Sequence, residues 1–206
     1  MIDPVNFPDF FVEVPRITLR DPLAELLGSV TGGLLTYGYA DVVRLAGHSC
    51  PTVASAYWLG VRGIKALYGD QMPTRGQIQV CLREALEAGT VGVVASVLGL
   101  LTGAASGGGF AGIDGQFVRR GLLQFDVNIE TELRLTRTDT RQAVLAQAYP
   151  ERVTGDPQTM HLMQLCLSGQ ATDEQRTEFG RLWQQRVQRI LLDHAWDDAV
   201  FEIRVA

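Results

Sequence analysis

The sequence predicts an α+β protein, with helices packed on a mixed, largely antiparallel sheet. Three observations lead there. Residues 51–68 and 172–194 carry apolar side chains at helical spacing. Short stretches alternate instead, most clearly "ETELRLTRT", where Leu133 and Leu135 interleave with Glu132, Arg134 and Thr136. Asp114-Gly115, between "GFAGI" and "QFVRR", is a two-residue hairpin signal. There is no internal repeat. The chain reads as one domain over 1–206: an N-terminal arm and short helix (1–34), a core (35–150) and a C-terminal helical extension with a last strand (151–206).

The elements follow in order. Residues 1–20 form an extended arm with "FFVEVPRITL" as its strand. "DPLAELLGS" is a short helix, with Asp21 capping and Pro22 at the first helical position. "GLLTYGY" is a strand, and "ADVVRLAG" a helix that stops at Gly47. Pro51 opens the clearest helix, running to Tyr68, with Ala54, Ala56, Gly60 and Gly63 small enough to admit another backbone. "QIQVCL" is a strand. Val91–Leu101 is a buried core helix, well short of the ~20 apolar residues a membrane span needs. "LLQFDV", "ETELRLTRT" and "QAVLAQAY" are strands, and "TMHLMQLCLSG" a short helix. Thr172 and Gln175 form a capping box for a long amphipathic helix striped by Phe179, Leu182, Trp183, Val187, Ile190 and Leu191. "AVFEIRV" closes the chain as a strand.

Apolar residues make up 46% and charged residues 20%, a globular composition. A net charge of −5 gives no electrostatic footprint for nucleic acid. Three cysteines, Cys50, Cys81 and Cys166, are odd in number and lack zinc-finger spacing, so a reducing, cytoplasmic setting is expected. The N-terminus has no basic segment followed by an apolar run, and neither a secretory signal nor membrane association is expected.

The chemistry concentrates in "AGHSCPTVA". Pro51 at the first helical position puts Cys50 at the N-cap, where free backbone N–H groups and the positive helix end favour thiolate over thiol. His48 stands two residues earlier on a loop. Imidazole nitrogen and thiolate sulfur are natural zinc ligands, although two residues do not complete a tetrahedral site. The alternative is a packed cysteine beside a loop histidine that bonds the backbone.

"AGHSCPTVASAYWLGVRGIKALYG" resembles the opening motif of the FmdE family of formylmethanofuran dehydrogenase components, in which Gly-His-x-Cys-Pro precedes a small-residue helix. "LLTGAASGGGF" is similar to that family's Thr-Gly turn and glycine-rich loop, and "DGQFVRRGLLQFDV" to the hairpin after it. The likeness spans roughly residues 35–140. It implies an α+β core and a metal near His48 and Cys50. Ala46 stands where many of that family carry a second histidine. The helix before the Thr-Gly turn lacks the cysteine and aspartate many of them carry there.

The expected site joins His48 and Cys50, as metal ligands and catalytic groups, to one pocket walled by Thr102, Gly103, Gly107, Gly108, Gly109 and Phe110, with Arg119 or Arg120 pairing a carboxylate and alternation aiming the other at solvent. Backbone amides of the loop would hold an anionic or planar ligand. "GGGFAG" matches Gly-x-Gly-x-x-Gly, but a hairpin rather than a helix follows, which argues against a dinucleotide. Cys81, His161 and Cys166 read as packing residues, and His194 as a structural residue at a helix end. Three functions stay open: a small-molecule enzyme using a divalent metal, zinc first, with an open position; a carrier of metal or haem without turnover; or an interaction subunit. A small-molecule ligand or metallocofactor and a homodimer are the expected partners. The dimer follows from the small-residue helix and from an arm too apolar to leave in water.

Overall fold

The computed structural model describes residues 6–206. Six α-helices are α1 (Pro22–Leu26), α2 (Tyr39–Ala46), α3 (Pro51–Tyr68), α4 (Val91–Thr102), α5 (Thr159–Leu167) and α6 (Asp173–Leu191). Seven strands are β1 (Ile17–Arg20), β2 (Leu34–Tyr37), β3 (Ile78–Leu82), β4 (Leu123–Gln124), β5 (Leu133–Arg137), β6 (Ala143–Ala148) and β7 (Phe201–Val205). β1 and β2 pair antiparallel. The others form one sheet in the order β4-β3-β5-β6-β7, antiparallel except for β3–β4. This is an α+β fold.

Helix α3 organises the core, and its small residues explain how. A Cβ on Gly60 would stand 2.5 Å from Leu101 Cδ1 of α4, and one on Gly63 2.5 Å from Leu135 Cδ1 of the sheet. The two glycines therefore let α3 lie close to a helix on one side and to strands on the other. Trp58 is fully buried and donates its indole N–H to Leu191 O of α6 at 3.1 Å, so this bulky ring leaves no orphan donor. Apolar area removed from water supplies the stability, at roughly 1.5–3 kcal/mol for each fully buried large side chain such as Leu59, Ile64 or Leu98. No helix among the described residues is long and apolar enough to cross a membrane.

Several expectations change in form. The strand in the arm is confined to Ile17–Arg20, because Asp9–Val12 coils into a 3-10 turn. That turn buries Phe10 and Phe11, and Phe11 packs edge-on against Tyr39 at 4.8 Å between ring centres. Residues 1–5 lie outside the described part. Of the two grounds for expecting a dimer, the small residues of α3 are buried within the chain, and the arm buries Phe10 and Phe11 while leaving Val12 79% exposed. Asp114 and Gly115 do turn the chain through positive φ (47° and 75°), and Ile113 and Gln116 exchange both backbone hydrogen bonds at 2.9 Å. The pairing stops at that one bridge, so a turn stands where a longer hairpin is predicted. "LLQFDV" contributes only two paired residues. The C-terminal stretch is no mere appendage: β7 is the edge strand of the main sheet.

Candidate functional site

The His48–Cys50 loop joins two helices end to end. Gly47 closes α2 with φ 75°, a left-handed C-cap, and Cys50 opens α3 as its N-cap ahead of Pro51. Cys50 Sγ accepts the Val53 N–H at 3.5 Å, so the sulfur takes the capping position. Cys50 is half-buried against the core and His48 is exposed. The exposed His48 ring donates from Nδ1 to Ala46 O at 2.9 Å, which leaves Nε2 as the ring nitrogen not used in that bond.

Ser49, between the two candidates, fixes the loop to α6. Its Oγ donates to Gln184 Oε1 at 3.0 Å, so the Tyr39 hydroxyl, 3.0 Å away, must be the donor to Ser49 Oγ. Burial pushes the Tyr39 phenol well above its ordinary value, consistent with a permanent donor. Trp183 Nε1 and Gln184 Nε2 both donate to Ser49 O, at 3.0 and 3.2 Å. Four hydrogen bonds thus hold one serine, and α6, some 135 residues on, determines where His48 and Cys50 stand. Ala46 also lines a cavity of about 270 Å³ with Leu45, Gly92, Val93 and Ser96. Leu45 and Val93 give it apolar walls and Ser96 a hydroxyl.

A zinc centre closed by one chain does not fit these residues. No group of three or more His, Cys, Asp or Glu among the described residues is placed to hold a metal ion. His48 and Cys50 are two donors, and a structural or catalytic zinc takes at least three from protein.

The predicted wall of the pocket lies elsewhere. Gly60 of α3 packs on Leu98 and Leu101, so the end of α4 sits ten residues along α3 from Cys50, about 15 Å at the helical rise. Thr102 is fully buried; its Oγ1 donates to Leu98 O at 2.7 Å and accepts from Ala104 N at 3.1 Å, which ends the helix. Gly103 follows with φ 75°. Gly107 and Gly108 border open space, and Gly109 is crowded by Ala105 and the Arg120 backbone. Phe110 is 43% exposed, and its carbonyl accepts the Arg119 and Arg120 amides at 2.9 and 3.1 Å. The loop folds back onto the Arg119–Arg120 backbone, and among the described residues no hydrogen bond joins it to His48 or Cys50.

It meets instead a buried ionic cluster. Asp21 caps α1, accepting Leu23 N at 3.0 Å and Ala24 N at 3.2 Å through Oδ1. The same oxygen accepts Arg119 Nη2 at 2.7 Å, and Oδ2 accepts Arg75 Nη1 at 2.8 Å. Arg75 also donates to Leu100 O through Nε and Nη2. Desolvation alone would raise the Asp21 carboxyl, but the Arg75 and Ala24 hydrogen bonds and both guanidinium charges outweigh it and hold the group below its ordinary value. The Asp21 cap is legible in sequence; Arg75, in the loop "GDQMPTRG", carries no signal that pairs it with residue 21.

The other candidates stand apart from both places. Cys81 is buried, with Gln124 Oε1 and Arg134 Nη2 each 3.7 Å from its sulfur. His161 is exposed, not packed, and Cys166 half-buried, both on α5. His194 Nδ1 lies 2.9 Å from Asp197 Oδ2. Of Arg119 and Arg120, the first is buried and the second exposed, as alternation along a strand requires. Neither a family model nor a curated protein matches this chain.

Proposed function

We propose that this chain is a binding protein for a metal-containing small molecule, a metallocofactor such as haem or a metal complex that brings ligands of its own, and that His48 and Cys50 are its docking groups. The observation that carries the reading is the locked loop: an exposed imidazole held through Nδ1 and a capping sulfur two residues apart, pinned through Ser49 to α6. Two protein donors suit a metal whose other positions are already filled better than they suit a bare ion. The cavity beside Ala46, walled by Leu45 and Val93 with the Ser96 hydroxyl, gives a ligand with an organic periphery a surface to lie against. The likeness to the FmdE family in "GHSCP" supports the same place for the metal. Three free cysteines fit a reducing, cytoplasmic compartment.

Titration of the purified chain with ferric haem and, separately, with zinc tests the reading. Saturable one-to-one binding of haem, lost at least tenfold in His48→Ala and in Cys50→Ser, is the expected result. Equal binding by both variants overturns it. Tight stoichiometric zinc that vanishes in both variants would point instead to a metal enzyme whose missing ligands come from a second copy. Light scattering with and without zinc would then show the chain pairing.

A further inference from the structure

The cluster of Asp21, Arg75 and Arg119 has more positive charge than its own carboxylate neutralises. One carboxylate faces two guanidinium groups, and both arginines line a cavity of about 460 Å³ between α1 and the glycine loop, where Asp21 is the only acidic residue. Arg119 is 7% exposed, and its Nη1 is buried with no hydrogen-bond partner among the described residues. A buried guanidinium with an idle donor is costly unless something else completes it. The chain has also made room for this group. A Cβ on Gly76 would stand 1.7 Å from Arg119 Nη1, and one on Gly103 2.5 Å from it, so both positions are kept clear by glycine.

Burial is the largest influence on the Arg119 guanidinium and pulls its pKa below the ordinary value, with the Asp21 charge opposing. Arginine nonetheless stays protonated. The cation is therefore short of stabilisation, and an added anion would supply it. The rest of the cavity is of another kind. Leu23, Leu27, Val30, Leu35 and Phe110 line it, and Leu27 and Phe110 are 63% and 43% exposed at its mouth. Charge at the floor and apolar side chains at the walls and rim match a ligand with an anionic head and an apolar body. Phosphate would find the floor but nothing to cover with these walls.

We propose that this cavity is a binding site for a small monocarboxylic acid with an apolar body, its carboxylate held by Arg75 and Arg119 and its chain or ring lying against Leu27 and Phe110. The site is separate from the His48–Cys50 loop and does not depend on the reading of that loop. Carboxylate–arginine pairing gives the affinity its charge dependence, and the apolar walls give it its dependence on ligand length.

Calorimetric titration of the full chain with hexanoate, hexanol, hexylammonium and inorganic phosphate tests this. Saturable binding of hexanoate is expected, with hexanol at least tenfold weaker and hexylammonium without measurable binding. Phosphate should be weaker than hexanoate. Arg119→Gln is expected to abolish binding, but it also disturbs the cluster, so Leu27→Glu serves as the second variant. Its side chain is at the exposed rim, and it brings a competing carboxylate to the mouth. Hexanoate affinity should fall at least tenfold in Leu27→Glu with the melting temperature unchanged. The proposal is overturned if hexanoate does not saturate, if hexanol binds equally well, if phosphate is preferred, or if Leu27→Glu binds hexanoate as the unaltered chain does.

Discussion

Two turns in this chain are built alike. Asp21-Pro22 opens α1 and Cys50-Pro51 opens α3, each with a side chain at the N-cap and proline at the first helical position. Their later roles diverge. Asp21 accepts two backbone amides and two guanidinium groups and is 3% exposed. Cys50 accepts one amide at 3.5 Å and stays half-buried. The same local device thus closes a buried ionic cluster in one place and leaves a sulfur with one long hydrogen bond in the other. Capping alone explains the aspartate. It does not explain the cysteine, because Asp, Asn and Ser are the residues that capping prefers.

Removing Asp21 breaks the comparison hardest. Asp21→Ala should cost about 3–5 kcal/mol, because both guanidinium groups lose their buried partner. Urea unfolding measures it. The Asp21 pKa is held below its ordinary value of 3.8, so its contribution is present above that pH and fades as pH falls through the folded-state pKa. The gap between the unaltered chain and Asp21→Asn should therefore close in acid below that value.

Glu132 gives the opposite buried carboxylate. Desolvation dominates there and pushes its pKa from 4.5 to about 7, against a backbone hydrogen bond from Ala148; Gln147 also donates to the side chain, at 2.9 Å. A raised carboxyl contributes its stability below the unfolded value and loses it as pH rises toward 7. Glu132→Gln should accordingly stabilise the protein at pH 8 by up to about 3 kcal/mol, at 1.36 kcal/mol per unit. That gain should vanish below pH 4.5. A stability-versus-pH series on both proteins reads the difference directly. The contrast with Asp21 lies in its partners: two cations against none hydrogen-bonded to it.

The loop itself predicts smaller effects. Ser49→Ala removes the link from Tyr39 to Gln184 and should cost about 1–2 kcal/mol, leaving the half-buried Gln184 amide and the buried Tyr39 phenol short of partners. Cys50→Asp, which moves the residue of the first turn into the second, should stabilise α3 by about 0.5–1 kcal/mol if only capping matters there, while abolishing soft-metal binding. Thermal unfolding beside a haem titration separates the two results.

Local chemistry is legible in the sequence. Asp21, Gly47, Pro51 and the Thr172–Gln175 box each mark a helix end within a few residues of their own signal, and all four ends stand where those residues put them. Reach is not legible. The arm hides its phenylalanines under Tyr39, some thirty residues on, which no periodicity reports. In sequence the glycine loop groups with His48 and Cys50 because both stretches are rich in residues that serve function. Its position is set instead by Gly60 against Leu101 and by Arg119 against Asp21, contacts spanning 41 and 98 residues. Arg75 stays hidden for the same reason: an arginine in a polar loop looks solvated until its partner is known.

The central claim is that residues the sequence gathers into one pocket belong to two sites, one at the start of α3 and one at the end of α4. Hexanoate titration of Cys50→Ser, paired with haem titration of Leu27→Glu, tests it most directly. The account predicts that each variant loses its own ligand and keeps the other with unchanged affinity. A tenfold loss of hexanoate binding in Cys50→Ser, or of haem binding in Leu27→Glu, would contradict it and return both sets of residues to a single site.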